Sequence, residues 1–206
     1  RNFIPVFRLA VAAAVAVIAA LSVVFVGYES IEINTVEVLA HSLPDGTEVF
    51  MRPNSTISYN SLLWSVDRNV NLDGTGFFEV EKGKKFDVET EVGTVSVLGT
   101  SFSVITFEDA LKVSCKTGKV LVQNEEGLSA ILTPGKGVKM NKEESISIES
   151  PTQHIDQWVT GSYRFDNVEA SDVFNSIEDI SKIEIHYPKD LESSYSGEFS
   201  TDQYIE

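Results

Sequence analysis

The sequence predicts a mainly β protein: a single transmembrane helix, then a two-layer antiparallel β domain, then a small α+β module of β-α-β-β order that is truncated or unusually short. Three observations predict this. An uncharged apolar run lies between Arg8 and Glu29, short runs of period 2 separated by turn signals fill residues 35–149, and helical periodicity returns only after Pro151. Of the 206 residues 42% are hydrophobic, which suffices for one or two cored domains but not three. The expected divisions are 1–28 for the helix with a short basic flank, 29–150 for the β domain and 151–206 for the α+β module.

The run LAVAAAVAVIAALSVVFV, Leu9 to Val26, contains one polar residue, Ser22. At about 1.5 Å per residue it reaches roughly 27 Å, close to the ~30 Å hydrocarbon core of a bilayer. A cleaved signal peptide has a shorter apolar core of about 7–15 residues and a small-residue cleavage site, so an uncleaved single pass through the inner membrane is expected. Arg1 and Arg8 precede the run and the next basic residue is Arg52, which puts the N-terminus on the cytoplasmic side and the bulk in the periplasm. The part beyond the run holds 14 basic against 31 acidic side chains, a net charge of −17. Such acidity excludes nucleic acid as a partner, since phosphate contacts need clustered Lys and Arg. It favours solubility and a basic partner surface. A chain starting at Arg1 rather than Met also leads us to expect a missing upstream segment.

In the next stretch the turns PDG, PNS, DGTG and KG punctuate runs such as NVNL, FFEVE, FDVET, TVSVLGTSFSVITF, LKVSCK and KVLVQN. Close spacing of strands and turns with almost no 3.6-residue period predicts two packed antiparallel layers. Cys115 is the single cysteine and shares a strand face with Leu111 and Val113, so it reads as a small buried hydrophobe with no disulfide open to it. After Pro151, YRFDNV reads as a strand and residues 170–180 as a helix, with Val173, Phe174, Ile177 and Ile180 on one face. IEIHYP and YSGEFS are the remaining two strands.

Few residues suggest chemistry. His41, His154 and His186 are scattered, and HExxH, CxxC and GxSxG are all lacking. LDGTGF, residues 72–77, resembles a phosphate-binding loop, but no helix follows it and it reads as a hairpin turn. The pairs Glu125-Glu126 and Glu143-Glu144 sit in turns without the Asp-rich spacing of a calcium loop. No cofactor and no metal ion are expected, and the chain is not expected to be an enzyme. The exception is Gly99-Thr100 inside VLGTSFSV, where a residue that weakens strands precedes a hydroxyl. It is either a structural bulge or a reactive bond.

The ordered motifs LPDGTEVFMRPNSTISY, RNVNLDGTGFFEVEKGKKFDVETEVGTVSVLGTSFSV, LTPGKGV and WVTGSYRFDNVEASDVFNSIE resemble the FecR family of transmembrane anti-sigma regulators, over almost all of residues 43–187. The closing W-x-x-G-x-x-x-F, Trp158 to Phe165, is similar to the C-terminal domain of Bacteroidetes members. Two positions depart from the family: Gly74-Thr75-Gly76 stands where GEA commonly precedes Phe-Phe, and Ser103 where Asn is common. The resemblance implies a relay from the periplasmic signalling domain of an outer-membrane TonB-dependent transporter to an extracytoplasmic-function sigma factor. It places the sigma-binding segment before Arg1. It also implies that the C-terminal module docks the transporter through an edge such as that carrying Ile183, Ile185 and Tyr187.

Some FecR-like regulators cut themselves at a Gly-Thr bond, and by that resemblance Thr100 is the candidate nucleophile and Gly99 the source of the scissile carbonyl. The rival reading of the whole chain is a membrane-anchored β-sandwich that binds carbohydrate or envelope material without signalling. Trp64, Tyr59 and Phe77 would then form an exposed aromatic platform.

Overall fold

A computed structural model describes residues 4–32, 38–106, 109–141, 143–149, 155–181, 186 and 193–200. The chain opens with α1 (Ile4–Val26) and continues into β1 (Tyr28–Glu32). Gly27 makes the junction, because a Cβ there would lie 2.3 Å from Asn60 Oδ1 and 2.8 Å from Leu62 Cβ. The Gly27 carbonyl accepts from the Ser61 amide at 2.7 Å.

The transmembrane expectation for residues 1–28 is corrected here. Among the described residues no helix is long and apolar enough to cross a membrane. Arg8 does not flank the helix but lies in its second turn. The side chains of residues 7–19 are all exposed.

The β body is a sandwich of two seven-stranded sheets. The first runs β1, β4 (Thr56–Asn60), β5 (Arg68–Asp73), β7 (Phe86–Glu89), β8 (Gly93–Val97), β11 (Val120–Asn124), β12 (Ser129–Leu132). The second runs β14 (Ser145–Glu149), β13 (Lys136–Asn141), β10 (Ala110–Cys115), β9 (Ser101–Thr106), β6 (Thr75–Glu79), β3 (Glu48–Met51), β2 (Leu39–Ser42). Alternation along each strand sends one face inward: Val70, Val88, Val95 and Val122 from the first sheet meet Val49, Phe102, Val113 and Val138 from the second, all fully buried. An aromatic chain fills the centre. Phe78 stacks on Phe102 at 5.2 Å, meets Phe86 across the sandwich at 6.1 Å, and Phe86 continues to Trp64 at 6.0 Å and on to Tyr59 at 5.4 Å. Burying each such ring contributes about 1.5–3 kcal/mol.

Two expectations of the sheet pattern change. Neighbouring strands pair antiparallel except β5 and β7, which are parallel, with Val70 opposite Val88. The reason is the route of the chain: β5 lies in the first sheet, β6 in the second, and β7 returns to the first, so two reversals restore the direction. For the same reason LDGTGF is not a hairpin within one sheet. Gly74, at φ +103°, is a corner where the chain changes sheets, and a Cβ there would meet Ser55 Cα at 2.7 Å.

The C-terminal part holds α2 (Gln157–Thr160), closed by left-handed Gly161, then β15 (Ser162–Glu169), α3 (Ala170–Ser181) and β16 (Ser194–Ser200), with β15 and β16 antiparallel. The expected first strand, helix and last strand are present. Val173 of the helical stripe is buried, while Phe174 and Ile177 are half-buried. The middle strand expected at IEIHYP lies outside the described residues apart from His186. This part touches the outer face of the second sheet. Lys116 pairs with Asp156, Arg52 stacks 5.0 Å from the ring centre of Trp158, and Phe77, facing away from the sandwich core, is only 1% exposed.

Candidate functional site

Gly99-Thr100 occupies another sheet-changing corner, between β8 in the first sheet and β9 in the second. It is therefore not a bulge inside one continuous strand. The direction change demands φ +140° at Gly99, where a Cβ would lie 2.7 Å from the Lys82 Cα; only glycine fits.

Two neighbouring segments clamp the corner. Residues 80–85 lie along it, with the Val80 amide donating to the Thr100 carbonyl and the Gly83 amide to the Leu98 carbonyl, both at 3.0 Å. On the other side the Ser101 amide donates to Thr117 Oγ1 at 2.8 Å, and the Ser101 carbonyl accepts from the Lys116 and Thr117 amides at 2.9 and 3.0 Å. Segment 80–85 is in turn held from beneath by Arg68, 8% exposed. Its guanidinium pairs with Asp45 and donates to the carbonyls of Lys84 at 2.6 Å and Glu81 at 3.0 Å. Burying a guanidinium is costly unless its donors find acceptors; here both terminal nitrogens do, while Nε has no partner among the described residues.

Thr100 itself is 5% exposed, and its hydroxyl is buried without a hydrogen-bond partner. An unpaired buried hydroxyl costs about 1–3 kcal/mol, and Trp64 Nε1, Arg68 Nε and Asn69 Oδ1 are likewise buried without a partner among the described residues. Beside the corner opens a groove of about 570 Å³. Leu98, Leu121 and Ile131 form its apolar surface, and Lys82, Lys85 and Lys119 line it as well.

The other sequence candidates fall elsewhere. Ile183, Ile185 and Tyr187 lie outside the described residues, as does His154. His186 is exposed, and His41 Nε2 lies 3.0 Å from Tyr59 Oη, which donates to Glu29 Oε2 at 2.9 Å. Burial and the Glu29 carboxylate push the Tyr59 phenol up to about 12. Hydrogen bonds from Ser61 and Tyr59 hold Glu29 below the usual carboxylate range. Cys115 is buried as expected, and burial pushes its thiol up to about 11, which suppresses the reactive thiolate. Among the described residues no three His, Cys, Asp or Glu side chains are grouped to hold a metal ion. Trp64, Tyr59 and Phe77 are at most 5% exposed and form no platform. The lysine-lined groove was missed by sequence reasoning. Its only linear trace is the cluster Lys82, Lys84 and Lys85 in an otherwise acidic chain.

The FecR family model, described as FecR protein, matches residues 29–121, from β1 to the second residue of β11. Over these residues the chain is similar to FecR proteins. The match contains the clamped corner and both of its clamping segments. Among solved structures the chain is similar to two crystal structures, at 2.50 and 1.65 Å resolution, of a candidate anti-sigma factor from Parabacteroides distasonis ATCC 8503. Sequence identities are 29% and 28%, TM-scores 0.62 and 0.63, and 84% of each chain is covered in both comparisons. No curated protein matches. Match and likeness together support an anti-sigma-factor-like regulator of the FecR family, a family that is regulatory rather than enzymatic.

Proposed function

We propose that this FecR-family regulator holds an extracytoplasmic-function sigma factor in check and relays to it the state of an outer-membrane TonB-dependent transporter. Its place is the inner membrane, with the β body on the periplasmic side, where it meets the transporter's signalling domain. The observation that carries this reading is the FecR match over the β body, supported by the likeness to the candidate anti-sigma factor. The burial of Trp64, Tyr59 and Phe77 removes the aromatic platform on which envelope-carbohydrate binding would rest. Calorimetric titration of the full chain with the signalling domain of a transporter encoded beside it is expected to show saturable binding. A flat titration with every such domain would overturn the relay.

A second reading concerns the Gly99-Thr100 bond and is favoured by the orphaned Thr100 hydroxyl. Thr100 Oγ1 attacks the Gly99 carbonyl carbon, the C–N bond breaks as the nitrogen takes up the hydroxyl proton, and an ester links the two halves. Water then hydrolyses the ester, leaving a Gly99 carboxylate and a Thr100 with free amine and hydroxyl. Intact mass decides the matter: two fragments joining at this bond in the wild type, and one chain in Thr100→Val, is the expected result. A single uncut wild-type mass after folding would reject it.

A further inference from the structure

We propose that the groove beside Gly99-Thr100 is a docking site for an extended peptide of a protein partner that carries carboxylates on both sides of a short aliphatic stretch. This stands independently of the transporter and of bond cleavage.

The first argument is the pattern of the outer face of the first sheet. Along β8, β11 and β12 the outward positions Thr94, Ser96, Gln123 and Ser129 are polar, as a solvated sheet face should be. Against that background Leu121 and Ile131 stand directly opposite each other, with Leu98 at the adjoining corner, and they are 37%, 73% and 65% exposed. Scattered exposed aliphatics need no explanation, but three gathered around a groove of about 570 Å³ form a place for apolar side chains.

Charge complementarity identifies the occupant. The chain has a net charge of −15, yet the groove is lined by Lys82, Lys85 and Lys119 and by no carboxylate. Lys85 pairs with Asp87 at 2.8 Å, whereas Lys82 and Lys119 have no ion pair among the described residues. Two ammonium groups beside an apolar floor select an acidic ligand with an aliphatic centre. Among the described residues β12 is the last strand of its sheet, so an extended segment can also pair with its outer backbone edge. Arg68 holds the backbone on either side of Lys82 through the carbonyls of Glu81 and Lys84, so the stem of that exposed side chain starts from a fixed point, which lowers the ordering cost of binding.

The test uses the full chain and a fluorescent acetylated decapeptide with central leucine and valine, flanked on each side by glutamates. Anisotropy is expected to show saturable binding that weakens with added salt. Binding should weaken about tenfold in the double variant Lys82→Glu, Lys119→Glu, in which two exposed ion pairs are reversed. Ile131→Ser is expected to weaken binding without changing the salt dependence. As a check that does not depend on variants, carbodiimide should join peptide carboxylates to Lys82 or Lys119, mapped by mass spectrometry. Equal binding of a lysine-flanked peptide, or crosslinks elsewhere, would overturn the proposal. So would binding to vesicles of anionic phospholipid with none to the peptide, or self-association abolished by the same variants in the absence of peptide binding.

Discussion

Gly118 backs directly onto Thr100: at φ +73°, a Cβ on Gly118 would lie 2.5 Å from Thr100 Cγ2. The turn after β10 thus presses on the corner between the two sheets. Gly118→Ala is expected to destabilise the protein by about 1–3 kcal/mol, through overpacking and an unfavourable φ. Because the methyl group of Thr100 is what the new Cβ meets, Thr100→Ser should recover part of that loss. Denaturant unfolding of both single variants and the double variant checks this, and strictly additive losses would show that the two residues do not press on each other.

Thr100→Val keeps the shape of the side chain and deletes a hydroxyl that is bonded to nothing. It should raise stability by about 1 kcal/mol, where most core changes lower it. A lowered unfolding midpoint would mean that the hydroxyl has a partner in solution.

Arg68 ties Asp45 to the carbonyls of Glu81 and Lys84 from a buried position. Arg68→Met is expected to cost about 3–5 kcal/mol, since Asp45 loses its counter-charge and the carbonyls lose their donors. Hydrogen exchange should report early loss of protection at Gly83, whose amide holds segment 80–85 to Leu98. Wild-type protection there in the variant would show that Arg68 does not position the segment.

Stability should fall at both ends of the pH scale. The Glu29 carboxyl is held below its ordinary value in the folded state, so its contribution is present above the usual carboxylate range and is lost as pH falls through the folded value. Glu29→Gln should therefore flatten the acid limb of a thermal-stability profile. The Tyr59 phenol is raised to about 12, so its contribution is intact below the ordinary phenol value of about 10 and is lost as pH climbs from there through about 12. Ultraviolet titration of the folded protein should show late-ionising tyrosine, a class that burial also gives Tyr163, and Tyr59→Phe should remove one member of it.

Cys115 is buried with its thiol pushed up to about 11. At neutral pH a maleimide should leave the folded protein unmodified and label it fully in denaturant. Rapid labelling of the native protein would mean that β10 opens readily.

Local patterns foretold the strands because a period of two is a property of neighbouring residues. The runs around Val70, Phe86, Val95, Val113 and Val138 each send alternate side chains into one core, and the helix beginning at Ala170 follows its own 3.6-residue stripe. The FecR motifs were legible for the same reason, as ordered short words over residues 43–187, of which those up to residue 121 fall inside the family match. The reach of the first helix was not legible, because apolar composition says nothing of where a helix starts, and α1 starts before Arg8.

The sequence by itself determined the mainly β body, the likeness to the FecR family and the buried Cys115, and it posed Gly99-Thr100 as a question. Only the tertiary structure decided what that bond is: a corner between two sheets, clamped by residues 80–85 and 116–117, with its hydroxyl unpaired and a lysine-lined groove beside it. A glycine that weakens a strand looks alike at a bulge, a hairpin or a sheet change. The difference lies in which distant strands each side joins, and that is set by packing a whole core rather than by any local residue.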